Sequence, residues 1–247
     1  MSTNIKKRAL IMHLYIIRHA DPCYDPDSLT ETGHKEAAAL APRMKDFGIN
    51  YIYSSPMIRA KQTAFYTANL QGLEIIEKEW LKELSHIHIN QNGKEYTIWD
   101  TFGETIRKKQ PLPGHKDWYL HPPFDKTKIG ELWQNFRIQV DRFISEHGYT
   151  REDGRYRIDR SNDDRIAIFC HNGTLLLFLA HLLEIPPSMV WSGFYCWPSS
   201  VTDIYFDERS DEWAVPRALH VADVSHLIAN GLKPQARGMG DRCDEYY

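Results

Sequence analysis

The feature that most constrains this chain is a pair of short apolar runs, each cut off by a charged or imidazole side chain. Residues 14–22, LYIIRHADP, break from a hydrophobic strand into Arg18-His19, and residues 165–173, RIAIFCHNG, break at His171. Runs of five or six apolar residues without polar alternation are what strands covered on both faces look like. Such strands belong in a sheet sandwiched between helices, so the segments around them should be amphipathic helices.

The segments between them fit. LTETGHKEAAALAPRMKDFG reads as a helix capped by Thr30 or Thr32 and ended by Gly48, with Ala37, Leu40, Ala41, Met44 and Phe47 on one face. INYIYSS (49–55) is a second strand. Ser55-Pro56 resembles a helix start, serine as cap and proline in the first helical position, with the helix running to about Leu70. A shorter strand falls within LEIIEKEW (73–80). Leu132, Phe136, Val140, Phe143 and His147 form a helical stripe over 131–147. GTLLLFLAHLLE is apolar on all sides, which predicts a buried helix. SSVTDIYFD and EWAVPRALH predict two late antiparallel strands. The pattern is that of an α/β three-layer sandwich with a mostly parallel central sheet. Residues 86–130 hold Pro111, Pro113, Pro122 and Pro123 without a sustained period and are expected to form an inserted lid, partly helical over 97–109. The expected organisation is one domain over 12–234, a leader of no structural role over 1–11, and a mobile tail over 235–247.

Bulk properties narrow the function. A net charge of -3 gives no electrostatic case for nucleic acid or an anionic membrane. No apolar run approaches the roughly 18 residues of a membrane-spanning helix. The four cysteines, Cys23, Cys170, Cys196 and Cys243, form no CxxC pair, which argues against structural zinc and disulfides and for a reduced, cytoplasmic setting. Oligomeric state has no signature in the sequence.

In open α/β sheets ligands bind beyond the carboxyl ends of the strands. Arg18 and His19 end the first strand there, Ser54-Ser55 the second, and His171 the strand at 165–170. Arg59 lies in the first turn of the helix after Ser55, and helical side chains lean toward the helix N-terminus, back over the sheet edge. Gly173-Thr174 open a helix whose free N–H groups suit an anion. Two arginines, two histidines and a helix start make a site for a doubly charged anion such as phosphate. Nearby cations keep an imidazole neutral, and a neutral imidazole is a nucleophile.

Taken in order, LYIIRHADP, LTETG with Ala37, YSSPMIRAKQTA, the glutamate of LKEL and FCHNGTL resemble the histidine phosphatase superfamily, the group that includes the cofactor-dependent phosphoglycerate mutases. The matching pieces cover 13–84 and 165–184, roughly a third of the chain. The resemblance implies a phosphoglycerate mutase-like fold and a metal-independent phosphatase with no cofactor, acting on a small phosphorylated substrate. It implies His19 as the nucleophile that becomes phosphohistidine, with Arg18, Arg59 and His171 around the phosphoryl group and Glu83 as proton donor. Glu77, Glu79 and Asp21 compete for that last role. Two departures stand out. Asn172 replaces the family's glycine after the second histidine; it tolerates a left-handed turn and places an amide in the substrate pocket. The stretch after Glu83 also lacks the glycine-rich pattern of true mutases, which favours hydrolysis.

Three other readings stay open: a mutase, a non-catalytic phosphate-binding module, and a metallohydrolase using His86, His88 and His115 or His121. The insertion carries Trp99, Trp118, Tyr119, Arg107, Lys108, Lys109 and His115, and is expected to choose the substrate. His34, His181, His220 and His226 are assigned to structural or surface positions.

Overall fold

The computed structural model describes residues 10–108 and 111–237. In chain order the elements are β1 (His13–Arg18), β2 (Pro22–Tyr24), β3 (Asp27–Leu29), α1 (Glu31–Asp46), β4 (Tyr51–Ser54), α2 (Ile58–Gln71) and β5 (Ile75–Glu77). The insertion holds β6 (His88–Gln91), β7 (Lys94–Thr97) and α3 (Gly103–Arg107). Then come α4 (Ile129–Glu146), β8 (Tyr149–Glu152), β9 (Arg155–Ile158), β10 (Arg165–Cys170), α5 (Asn172–Leu182), α6 (Pro187–Trp191), β11 (Val201–Asp207), β12 (Trp213–Asp223) and α7 (Ser225–Ala229).

One eight-stranded sheet carries the domain, in the order β5-β4-β10-β1-β11-β12-β9-β8. Its core strands β5, β4, β10 and β1 run parallel, and β11, β12, β9 and β8 extend it antiparallel. The run HLYII is explained by burial on both faces. Leu14 and Ile16 point into a cluster with Trp133, Phe136, Val140 and Phe143 of α4 and the apolar side chains of α5. Tyr15 and Ile17 point the other way, onto Leu40 and Met44 of α1 and Ala64 and Ala68 of α2. That is the expected three-layer α/β sandwich. Leu175 to Leu179 are all buried, which accounts for a helix apolar around its whole circumference.

The expected cap of α1 is Thr30, whose hydroxyl oxygen accepts the Gly33 N–H at 3.0 Å. The start of α2 differs from expectation. Met57, not Ser55, is its N-cap, and the helix opens at Ile58. The Ser55 hydroxyl is engaged elsewhere, as described below. Two hairpins escaped the sequence reading. β8–β9 turns at Asp153-Gly154 and β6–β7 at Asn92-Gly93, both dipeptides of the kind that hairpin turns favour. Asn92 and Gly93 take φ of 55° and 81°, the left-handed values that such a turn demands. Among the described residues of the expected helix over 97–109 only Gly103–Arg107 are helical; Thr97 ends β7 and a turn follows it.

The insertion is packed into the domain. Ile87, Ile89, Ile98, Ile106, Trp118 and Phe124 join the cluster beneath α5. Trp118 is fully buried. Lys109 lies outside the described residues, as do Cys243 and most of the expected leader and tail. Met12 is buried, and its carbonyl accepts the Phe206 N–H. Among the described residues no helix is long and apolar enough to cross a membrane.

Buried histidines govern how the fold meets acid. Burial, aided by Arg43, holds His226 down to about 4, and burial with Arg137 does the same for His115. Burial also lowers His181, His19 and His171. In the unfolded chain such rings protonate at about 6.5, so the stability present above that pH is lost as pH falls toward the folded values. Glu36 acts oppositely: burial lifts its carboxyl to about 7, so its contribution is full below the ordinary 4.5 and lost as pH rises through 7. Burial raises Glu83 and Asp100 in the same sense. The histidines outnumber these acids, so the urea midpoint is expected to drop between about pH 7 and about pH 5. A midpoint that held or rose over that interval would contradict this assignment of buried neutral rings.

Candidate active site

The parallel register gathers the site. Arg18 on β1 lies opposite Cys170 on β10, and Phe169 on β10 opposite Ser54 on β4. The residues that follow these strands, His19, His171 and Ser55, therefore leave the sheet side by side at its carboxyl edge. Strand-like bonds carry on one step further, from His19 N–H to Cys170 O and from Ser55 N–H to Phe169 O, both at 2.9 Å. The rings of His19 and His171 end 5.1 Å apart, centroid to centroid.

His19 is buried, with Nδ1 2.8 Å from the Ala20 carbonyl oxygen. A carbonyl only accepts, so Nδ1 carries the proton and Nε2 keeps its lone pair. Burial pushes the His19 pKa well down, and its neighbours His171, Arg18 and Arg59 add to the effect. His171 is lowered by burial and then by Arg59 and Arg18. Both rings are therefore neutral near pH 7. His171 Nε2 lies 2.8 Å from Ser55 Oγ, which also accepts the Met57 N–H at 3.3 Å.

The two arginines are buried and anchored from behind. Arg18 Nη1 donates to Cys196 O at 2.7 Å, and Nη2 donates to Arg237 O at 3.1 Å. Arg59 Nη1 donates to Asp27 Oδ1 at 2.6 Å, while Asp27 Oδ2 accepts the Ile58 N–H at the start of α2. Arg18 Nε, Arg59 Nε and His171 Nδ1 are buried without a hydrogen-bond partner. Orphaned buried polar atoms call for an explanation, and these three belong to the residues that act electrostatically on His19.

Glu83 sits against the N-terminus of α5. Its carboxylate accepts the Gly173 N–H at 3.1 Å, and both the Thr174 N–H and hydroxyl at 3.2 Å. Burial raises its pKa against those hydrogen bonds and against Arg18 and Arg59. Its rivals are occupied elsewhere. Glu77 pairs with Lys61 and Glu79 with Lys82 on the surface. Asp21 is buried, accepting the Thr30 hydroxyl at 2.6 Å and a two-pronged bond from Arg237.

Asn172 is the first residue of α5 and takes no left-handed conformation, so the turn expected there is not needed. Its Oδ1 accepts the Cys196 N–H at 3.3 Å. The histidines of the metal-site reading are scattered. His115 meets Glu184 at 3.4 Å and His121 meets Asp117 at 3.7 Å. Among the described residues no three His, Cys, Asp or Glu side chains gather as a donor set. His181 and His226 are buried structural residues, bonded to Asp141 and Ser199.

Sequence reasoning missed several members of this region. Thr63, within the RAKQTA stretch, accepts the Ala20 N–H at 3.0 Å and so fixes the loop after His19. Asp27, which aims Arg59, carries no local signal. Tyr195 and Arg237 close the side over Arg18. The Arg18 guanidinium lies 5.5 Å from the Tyr195 ring centroid, and the Tyr195 hydroxyl bonds to both backbone groups of Arg237.

Comparison with known proteins agrees with this architecture. The profile of the histidine phosphatase superfamily (branch 1) matches residues 14–217. Phosphoserine phosphatase 1 of Hydrogenobacter thermophilus is 24% identical over 209 residues, 81% of this chain and 89% of that protein. Adenosylcobalamin/alpha-ribazole phosphatase of Salmonella typhimurium is 24% identical over 202 residues, 73% of this chain and 84% of that one. A mutant phosphoserine phosphatase from Entamoeba histolytica, solved with phosphoserine, shares the fold at a TM-score of 0.59 and 21% identity, covering 87% of this chain and 99% of its own. With a profile match over most of its length and the same fold in solved relatives, the chain belongs to the histidine phosphatase superfamily.

Proposed function

We propose that the protein is a metal-independent phosphomonoesterase that works through a phosphohistidine on His19. The observation that carries this reading is the set of unpartnered buried nitrogens, Arg18 Nε, Arg59 Nε and His171 Nδ1, around an imidazole held neutral with Nε2 free. Membership of the superfamily and its named phosphatase relatives support phosphatase chemistry.

In this reading the arginines and His171 hold the oxygens of the transferring group and stabilise the charge that spreads over them. The Ser55 hydroxyl donates a hydrogen bond to His171 Nε2, which places the ring proton on Nδ1, where it can donate to an oxygen. Nε2 of His19 attacks phosphorus, the P–O bond to the alcohol breaks, and the leaving oxygen takes a proton from Glu83. Water then gives a proton to the Glu83 carboxylate and attacks phosphorus, the P–N bond breaks, and phosphate leaves with His19 restored. Glu83 suits both duties because burial favours its acid form while helix N–H groups stabilise its anion.

Hydrolysis of p-nitrophenyl phosphate with a chelator present tests the core of this. Turnover is expected to survive the chelator and to fall by on the order of 1000-fold or more in His19→Ala. Loss to the chelator, or a fully active His19→Ala, would overturn the mechanism.

Glu83 can be tested by leaving group. An alkoxide needs a proton and p-nitrophenolate does not, so Glu83→Gln should slow alkyl phosphates by on the order of 100-fold or more. Formation of phosphoenzyme from p-nitrophenyl phosphate, read as a burst, should change far less. Equal loss on both substrates would remove Glu83 from the donor role.

Gly173 offers a geometric test. A Cβ there would lie 2.7 Å from the Trp99 ring and 2.8 Å from Glu83 Oε1. Gly173→Ala is expected to keep the fold, by circular dichroism, yet lower kcat on alkyl phosphates by on the order of 10- to 100-fold through misplacement of Glu83. Unchanged kcat would show that Glu83 does not need this position.

A further inference from the structure

A cavity of about 280 Å³ adjoins the phosphate site through Asn172 and Tyr195. Its walls include the rings of Trp99, Trp191, Phe194 and Tyr195, and its polar groups include Asp100 and Asn172. Three contacts join it to the catalytic residues. Asn172 directly follows His171. Tyr195 lies beside the Arg18 guanidinium. Trp99 and Glu83 flank the same point, since a Cβ on Gly173 would touch both. The cavity therefore opens next to Glu83, where the alcohol must leave.

Its charge is distinctive. The Asp100 carboxylate has no hydrogen-bond or ion-pair partner among the described residues, and burial raises its pKa. The loop that carries it is clamped by Gln91, which donates to Asp100 O at 2.8 Å and accepts the Phe102 N–H at 2.7 Å. The Oδ1 of Asn172 is engaged by Cys196 N–H. That orients the amide and leaves its Nδ2 as a donor for the cavity. Among the described residues no lysine or arginine lines the space. Arg237 beside it is paired with Asp21, while Arg107 bonds to Ser192 and Arg18 to backbone carbonyls, which orient these two guanidinium groups without neutralising them.

Resting on the phosphohistidine reading, we infer that this cavity receives the leaving alcohol, and that this alcohol is a hydroxylated ring without a carboxylate, such as a sugar or nucleoside. Flat aromatic walls match the apolar face of a ring. An unpaired carboxylate accepts from ring hydroxyls, and the Asn172 amide donates to one. A carboxylate on the substrate would meet Asp100 as a like charge, while Arg107 and Arg18 are already oriented onto Ser192 and onto backbone carbonyls. By the same argument 3-phosphoglycerate is a poor ligand, and phosphoserine offers Asp100 its ammonium only by bringing a carboxylate into the same space. This departs from the phosphoserine phosphatase label that some relatives carry.

The test is binding to His19→Ala, read by tryptophan fluorescence, so that it does not depend on turnover. Glucose 6-phosphate, ribose 5-phosphate and adenosine 5′-monophosphate are compared with 3-phosphoglycerate and phosphoserine. At least one ring phosphate is expected to bind about tenfold or more tighter than either carboxylated ligand. In Asp100→Asn that ratio should fall by about tenfold, and Asp100→Lys should turn it in favour of 3-phosphoglycerate. Tighter binding of 3-phosphoglycerate or phosphoserine to the protein with Asp100 intact would overturn the inference, as would a ratio indifferent to both substitutions. Hydrolysis of p-nitrophenyl phosphate reports separately on the phosphohistidine mechanism. Activity there with the wrong order of affinities sinks only the substrate class, and the right order without activity sinks only the mechanism.

Discussion

The site depends on the parallel register between β1 and β10. With Arg18 opposite Cys170, the next residue on each strand is a histidine, and the two rings meet beyond the sheet edge. A slip of one residue would turn each strand's side chains to the opposite face, putting Leu14 and Ile16 where Tyr15 and Ile17 belong. The register is held by both apolar layers at once, because every residue of the run faces one layer or the other. The geometry of the imidazole pair is therefore enforced by the core.

The electrostatics follow from what the arginines do not meet. Arg18 is held by two backbone carbonyls, which orient it without cancelling its charge. Arg59 has one carboxylate, Asp27, at its outer edge, and Asp27 divides its oxygens between that guanidinium and the start of α2. Burial, with the positive charge of Arg18 and Arg59 added to it, holds two imidazoles in their neutral form. Within the same few ångströms a glutamate at a helix N-terminus is tuned the other way, toward its acid form. Groups whose environments push their protonation apart are what acid–base chemistry requires.

The side of the site away from the sheet is made by segments with no common period. The insertion brings Trp99 and Asp100, the α6 end brings Trp191 and Phe194, and Arg237 bonds to Asp21 and Tyr195 from the far end of the described chain. These parts come from segments other than the strands that carry Arg18, His19 and His171, so the two sides of the site rest on different stretches of the chain.

Much of this was readable in the sequence. Short-range signals fixed the strands at 13–17 and 165–170, the helix capped by Thr30, the buried helix after His171 and the two late strands, because periodicity and capping are local properties. Arg18, His19, Arg59 and His171 were legible as one group because the rule that ligands sit beyond parallel strand ends converts order along the chain into neighbourhood in space. The Asn-Gly and Asp-Gly hairpins were legible too, but lay in stretches without a sustained apolar run. What only the tertiary structure decided is how distant side chains pair. Ser55 turns from its helix cap to His171, Glu83 is separated from Glu77, Glu79 and Asp21, Asp27 aims Arg59, and Arg237 meets Asp21. Each pairing depends on which segments pack against which, and that is set by the summed burial of two apolar layers rather than by any pattern within a single segment.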